Sequence, residues 1–182
     1  FGRSFLAQGR RVPLMRARIA VDVDAAIAAA GFAALRVPAA DVVVCHAAAD
    51  ARRAWDAGKF IAAADLAVVV DLPIDVVVEA TGNPEAGARH SRMAIDAGHH
   101  LVLVSKEVDS VVGPLLARLA RRRGRVVTPV DGDQPSLLIG LVTWAQALGF
   151  DIVAAGKSSE YDFVYDASAA TMTSNGWTIA TP

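Results

Sequence analysis

Cysteine is almost missing from this sequence: Cys45 stands alone. No intramolecular disulfide can form, which excludes a small secreted scaffold held by disulfides. Cys45 follows the run Val42-Val43-Val44 with only His46 as a basic neighbour, so a buried structural thiol is expected rather than a nucleophile. An excess of one charge is lacking too. The net charge is −1, and there is no basic field to gather nucleic acid or anionic lipid. The densest basic cluster, Arg121-Arg122-Arg123 with Arg125, falls where a helix should end and complements its dipole. No apolar run reaches the roughly 18 residues of a membrane span. The longest candidate, Pro135 to Phe150, is broken by Thr143 and Gln146. No signal peptide is read. The histidines His46, His90, His99 and His100 lack the spacing of a zinc site, and His99-His100 is expected in a surface turn. A cytoplasmic protein is expected, with neither a nucleic-acid nor a membrane partner.

What is present is a core. Hydrophobic residues make up 54% and charged residues 20%, which excludes a disordered chain. Short β-branched runs alternate with alanine-rich stretches. Strands are predicted at Arg16–Val21, Asp41–Cys45, Ile74–Glu79, Leu101–Val104, Arg125–Val130 and Asp151–Ala155. Helices are predicted at Ala25–Ala30 closed by Gly31, Asp50–Ala57 stopped by Gly58, Asn83 to about Ala97 ended by Gly98, Pro114–Arg123 stopped by Gly124, and Ser136–Leu148. Asn83 as cap and Pro84 at the first helical position make the best helix entry. In the fourth helix Leu115, Leu116 and Leu119 are expected on one face. This alternation implies an α/β fold: a doubly wound parallel (Rossmann) sheet over residues 1–134, then the beginning of a second α+β catalytic domain over 135–182. Ligands of such sheets lie beyond the carboxyl ends of the strands.

The usual opening strand and G-x-G-x-x-G turn are missing. Phe1 to Gln8 looks like the helix after such a turn, with Gly2 as its third glycine, where a side chain would block close packing on the sheet. Residues before Phe1 are therefore expected, forming the central strand. Asp22, 20 residues after Gly2 at a strand end, stands where an acidic residue meets the adenosine ribose hydroxyls. An ordinary turn aspartate is the alternative. A carboxylate facing the ribose disfavours a 2′-phosphate and leans toward NAD, although Arg16 or Arg18 can offset it.

Four blocks in order carry a resemblance: Asp75-Val-Val-Val-Glu-Ala-Thr-Gly-Asn-Pro-Glu-Ala-Gly-Ala-Arg-His90, Val104-Ser-Lys-Glu-Val-Asp-Ser-Val-Val-Gly-Pro114, Asp131-Gly-Asp-Gln-Pro-Ser136 and Ala154-Ala-Gly-Lys-Ser-Ser-Glu-Tyr-Asp162. Over about residues 70 to 165, and loosely at the start, the chain resembles the homoserine-dehydrogenase-like NAD(P)-dependent oxidoreductases, whose members often carry a SAF domain. Within them it looks like the 1-deoxy-D-xylulose-5-phosphate reductoisomerase-like branch of isoprenoid precursor synthesis. It departs by lacking the first strand, most of a catalytic domain and any SAF domain, and the tail from Ala167 to Pro182 matches nothing.

The resemblance implies NAD(P) as cofactor. Gly2, Asp22, Ala80, Thr81, Gly82, Asn83 and Glu107 are the candidate cofactor residues. The small loop Ala80–Asn83 suits close approach of backbone N–H groups to the cofactor, or is an ordinary capped turn. Glu79, a charge at the end of an apolar strand, needs a partner or a cleft. Lys106 resembles the lysine that homoserine dehydrogenases place beside the nicotinamide, where it can polarise a carbonyl or pass a proton. Asp133, Lys157 and Glu160 complete the catalytic candidates. Asp133 is either a helix cap or, with Gln134, a cover for the nicotinamide. Lys157, Ser158 and Ser159 suit a phosphorylated or polyhydroxylated substrate; the stretch is no P-loop, because Asp151 stands where its first glycine belongs. A divalent ion on carboxylates such as Asp133 and Glu160 stays open, and no metal ligand is assigned. The expected partner is a small-molecule substrate, and the expected assembly a homo-oligomer. Homoserine dehydrogenase-like activity is the alternative, and a non-catalytic nucleotide sensor or scaffold is the alternative of another class.

Overall fold

The structure is a computed structural model that describes residues 1–130, 136–156, 164–174 and 177–180. It divides into two units, Phe1–Val130 and Asp131–Pro182.

In the first unit, short apolar runs form parallel strands because helices cover them, leaving apolar side chains as the favourable choice on both faces. The order is α1 (Gly2–Gly9), β1 (Ile19–Val21), α2 (Ala25–Ala34), β2 (Val42–Cys45), α3 (Ala48–Asp56), β3 (Phe60–Ala63), β4 (Val76–Glu79), α4 (Pro84–Asp96), β5 (His100–Leu103), α5 (Lys106–Arg122) and β6 (Val127–Pro129). The α/β class and parallel pairing agree with the sequence reading. The strands fall into two three-stranded sheets, ordered β1-β3-β2 and β4-β5-β6. In the second, Val77 lies opposite Leu101 and Leu101 opposite Val127. Among the described residues, β1 pairs only with β3, and β4 only with β5.

Each sheet has its own core. Cys45, Ile61, Ala63, Leu66 and Val69 centre the first; Ile95, Leu101, Leu103, Val108 and Leu116 centre the second. The linker after β3 carries a short 3-10 turn, Leu66–Val68, and His99 fastens it to the second sheet. That ring lies 2.7 Å from the Ile74 carbonyl through Nδ1 and 2.5 Å from the Val70 carbonyl through Nε2. The expectation of a surface turn at His99 is corrected: it is 6% exposed. The ring N–H donates to one of these two carbonyls, which offsets part of the burial of a polar ring.

Other differences are local. No strand was expected at Phe60–Ala63, yet β3 is the middle strand of its sheet. Gly31 does not end α2. It is buried inside the helix, with Leu6 and Arg3 of α1 about its missing side chain, and the left-handed turn comes at Arg36, φ 58°. Helix α5 begins at Lys106 rather than Pro114, which sits inside it. Its buried stripe is Val108, Leu116 and Ala120, while Leu115 is exposed. A proline is tolerated there at the loss of one N–H donor.

The second unit holds α6 (Ser136–Ala147) and an antiparallel meander of β7 (Val164–Asp166), β8 (Thr171–Ser174) and β9 (Trp177–Ala180). In the β7–β8 turn, Asp166 Oδ1 accepts from Ser168 N, Ser168 Oγ and Ala169 N. The Ser168 hydroxyl and these amides hold its carboxyl below the usual range. The strand expected at Asp151–Ala155 does not form: residues 151–156 are irregular, and no described strand pairs with them.

Candidate functional site

The turn between β4 and α4 is built around a buried carboxylate. Strand β4 ends in Glu79, 3% exposed, and the chain then turns sharply through Ala80–Asn83. Glu79 Oε1 accepts from the Thr81 amide at 2.8 Å and from the Thr81 hydroxyl at 2.6 Å. The Asn83 amide donates to Thr81 Oγ1 at 3.2 Å, and Asn83 Oδ1 caps α4 by accepting from the Ala86 amide at 2.9 Å. Gly82 takes φ +68°, with nothing within 4 Å of the side chain it lacks. Ala80, Thr81, Gly82 and Asn83 are all exposed. A small-residue surface fixed from beneath, at the carboxyl end of a parallel strand, fits a nucleotide's sugar and amide groups.

Helix α4 is drawn close over this carboxylate. A Cβ on Gly87 would lie 3.0 Å from Glu79 Cδ and Oε1, and 2.3 Å from Val108 Cγ2. Glu79 Oε2 and Ser91 Oγ, both buried, have no hydrogen-bond partner among the described residues. His90 is pushed toward its neutral form by burial and then by the adjacent Arg89.

The adjoining β5–α5 turn is tied to the first. The Gly82 amide donates to Ser105 Oγ at 2.8 Å, so two successive strand ends form one edge. That bond places Thr81, Gly82 and Asn83 beside the start of α5, where Lys106 is the first helical residue and Glu107 the second, both exposed. Glu107 and Asp109 suit the positive end of the helix dipole. A lysine there is opposed by it, typically by about 0.3–1 kcal/mol.

Gly2 and Asp22 belong to the other sheet's half. Gly2 opens α1, and a Cβ there would meet nothing within 4 Å among the described residues. Asp22 stands at the carboxyl end of β1, its amide bonded to the Ala63 carbonyl and its Oδ1 3.4 Å from the Asp24 amide. Arg18 makes no ion pair with it. Its guanidinium bonds the Trp55 and Lys59 carbonyls and lies 4.5 Å from the Trp55 ring centre. Asp133, Lys157 and Glu160, with Gln134, Ser158 and Ser159, lie outside the described residues.

Among the described residues no three His, Cys, Asp or Glu side chains cluster as metal ligands. Among the described residues no helix is long and apolar enough to cross a membrane. Cys45 is buried, and burial, then Asp50, pushes its thiol up. Sequence reasoning missed Ser105 and Gly87. A serine just before a helix was the available signal for the first, but it points to a cap, and the hydroxyl makes no capping bond.

The described first unit is that of an α/β protein with parallel sheets, in the second of which the turns after β4 and β5 are tied together. Residues 132–178 match the family described as oxidoreductase DRL, catalytic domain; this stretch carries an enzyme's signature. Among solved structures, an NAD-binding oxidoreductase from Klebsiella pneumoniae is similar, with 22% identity and a TM-score of 0.39, over 59% of this chain and 29% of that one. The chain thus spans less than a third of that protein. No curated protein matches.

Proposed function

We propose that this chain belongs to an NAD(P)-dependent oxidoreductase acting on a small hydroxylated, phosphorylated carbonyl compound, in the manner of the 1-deoxy-D-xylulose-5-phosphate reductoisomerase-like enzymes. The observation that carries the reading is the match of residues 132–178 to an oxidoreductase catalytic domain, directly after a parallel βα unit with an exposed, internally fixed turn. Ala80–Asn83 hold the nicotinamide ribose side, and Asp22 the adenosine ribose. With the Arg18 guanidinium bonded to the Trp55 and Lys59 carbonyls, Arg16 is the remaining cation that can offset Asp22, whose carboxylate leans the preference toward NAD.

The cofactor supplies hydride chemistry when bound. Lys106, at the same edge, polarises the substrate carbonyl and passes a proton to the oxygen that becomes the alkoxide. Glu107 flanks it. Lys157 with Ser158 and Ser159 binds the substrate's phosphate, and Asp133 and Glu160 orient it; a divalent ion on these carboxylates belongs to the same reading as an option. The protein is taken as a cytoplasmic homo-oligomer with a small-molecule partner. The same edge serves homoserine dehydrogenase-like chemistry, whose sequence pattern Lys106 shares.

The test is reduction of phosphorylated ketoses and of aspartate semialdehyde by the full gene product, followed by nicotinamide absorbance. Turnover of the first class supports the proposal, and turnover of the second alone favours the alternative. Tight NADH binding with no turnover of either would favour a sensor.

A further inference from the structure

We propose that Glu79 and Ser105 are positioning residues that hold the Ala80–Asn83 turn in the shape that receives a nicotinamide dinucleotide. This rests on the oxidoreductase reading above and names two residues that act through the turn without touching the cofactor. Both are almost fully buried, 3% and 4% exposed, beneath four exposed residues.

Two features separate these side chains from ordinary core polar groups. First, Ser105 occupies the N-cap of α5, where a serine hydroxyl normally accepts from a helix amide and contributes about 1 kcal/mol. It makes no capping bond and instead takes the Gly82 amide at 2.8 Å. The helix forgoes its cap, and the turn gains a fixed amide at the one residue with positive φ, +68°. Second, Glu79 buries a carboxylate with only one oxygen bonded; Oε2 has no partner among the described residues. A carboxylate left that way is expensive. An apolar residue would fill the strand end at less cost, but only an acceptor can take both the Thr81 amide and its hydroxyl. The Thr81 hydroxyl has one proton. Given to Glu79, it leaves Oγ1 to accept from the Asn83 amide, so the whole turn is set from Glu79 outward. Gly87 lets α4 come close enough to seal that carboxylate. The turn is thereby preorganised, which lowers the ordering cost of binding.

The experiment uses the full gene product and the variants Ser105→Ala, Glu79→Ala and Glu79→Gln. Amide hydrogen exchange is read at Thr81 and Gly82 in the free protein, and NADH affinity by titration. Ser105→Ala should speed exchange at Gly82 and raise the NADH dissociation constant about 3- to 10-fold, the scale of one lost hydrogen bond. Glu79→Ala should do so at Thr81 and by at least as much. Glu79→Gln keeps an acceptor and should recover most of the affinity. If Glu79→Ala fails to fold, Ser105→Ala, the milder change, decides. Wild-type NADH binding with unchanged affinity in Ser105→Ala overturns the positioning role and leaves the oxidoreductase reading standing. A wild-type protein that binds no NADH overturns both. The exchange data then still tell whether Glu79 and Ser105 fix the turn.

Discussion

Replacing Gly87 with alanine should destabilise the first unit, although the same change in most helices stabilises it. Alanine is favoured over glycine in a helix interior by about 1 kcal/mol. At Gly87 the added methyl would lie 2.3 Å from Val108 Cγ2 and 3.0 Å from Glu79 Cδ and Oε1. Relief needs a shift of roughly 1 Å, against a core packed with little free volume. Val108 is 0% exposed and belongs to another helix, and Glu79 is held by Thr81, so neither neighbour can swing into solvent. Overpacking of this kind costs about 1–3 kcal/mol, which exceeds or cancels the propensity gain. The net expectation is a loss of up to about 2 kcal/mol, and a melting temperature lower by up to several degrees. Urea unfolding followed by circular dichroism measures it. Gly140 in α6 is the control: nothing lies within 4 Å of its missing side chain, so Gly140→Ala should raise the stability of α6. Adding Val108→Ala to Gly87→Ala should cost less than the sum of the two single changes. A Gly87→Ala protein as stable as wild type, or more so, would refute the packing argument.

Lys106→Ala should lower turnover by at least ~10²-fold, the scale for a positioned acid or electrostatic stabiliser, with cofactor affinity little changed; steady-state kinetics would expose a merely solvated lysine by normal turnover. An arginine should rescue poorly, being bulkier and unable to give up its proton. Asp22→Ser should weaken NAD relative to NADP, and an unchanged affinity ratio would remove Asp22 from the ribose. Replacing His99 with phenylalanine removes the ring N–H that faces the Val70 and Ile74 carbonyls and should cost about 1–3 kcal/mol in denaturant melts. His90, held toward neutral by burial and Arg89, binds its proton less readily folded than unfolded. The folded state is therefore penalised as pH falls through the unfolded value of about 6.5. Melting curves of His90→Gln should lose less stability on acidification than wild type, and parallel losses would contradict this.

The sequence by itself determined the features whose chemistry is local. Asn83 and Pro84 marked the start of α4 because a cap needs only a side-chain oxygen and a missing N–H. Gly58, Gly98 and Gly124 marked helix ends because each takes positive φ, 73°, 87° and 65°. The β-branched run at Val76–Glu79 announced a strand, and the small residues after it a turn into the next helix. Only tertiary structure decided the rest. Phe60–Ala63 has two alanines and weak strand propensity, yet it is the middle strand because bonds from β1 and β2 reach it on both sides. Gly31 reads as a helix stop, but α1 packs against it, and that contact continues the helix. His99 looks like a turn residue until the linker's carbonyls arrive from 25 and 29 residues away. Ser105 reads as a cap, and its hydroxyl goes instead to Gly82, 23 residues distant. In each case, partners brought together from afar outweighed a local preference worth about 1 kcal/mol or less.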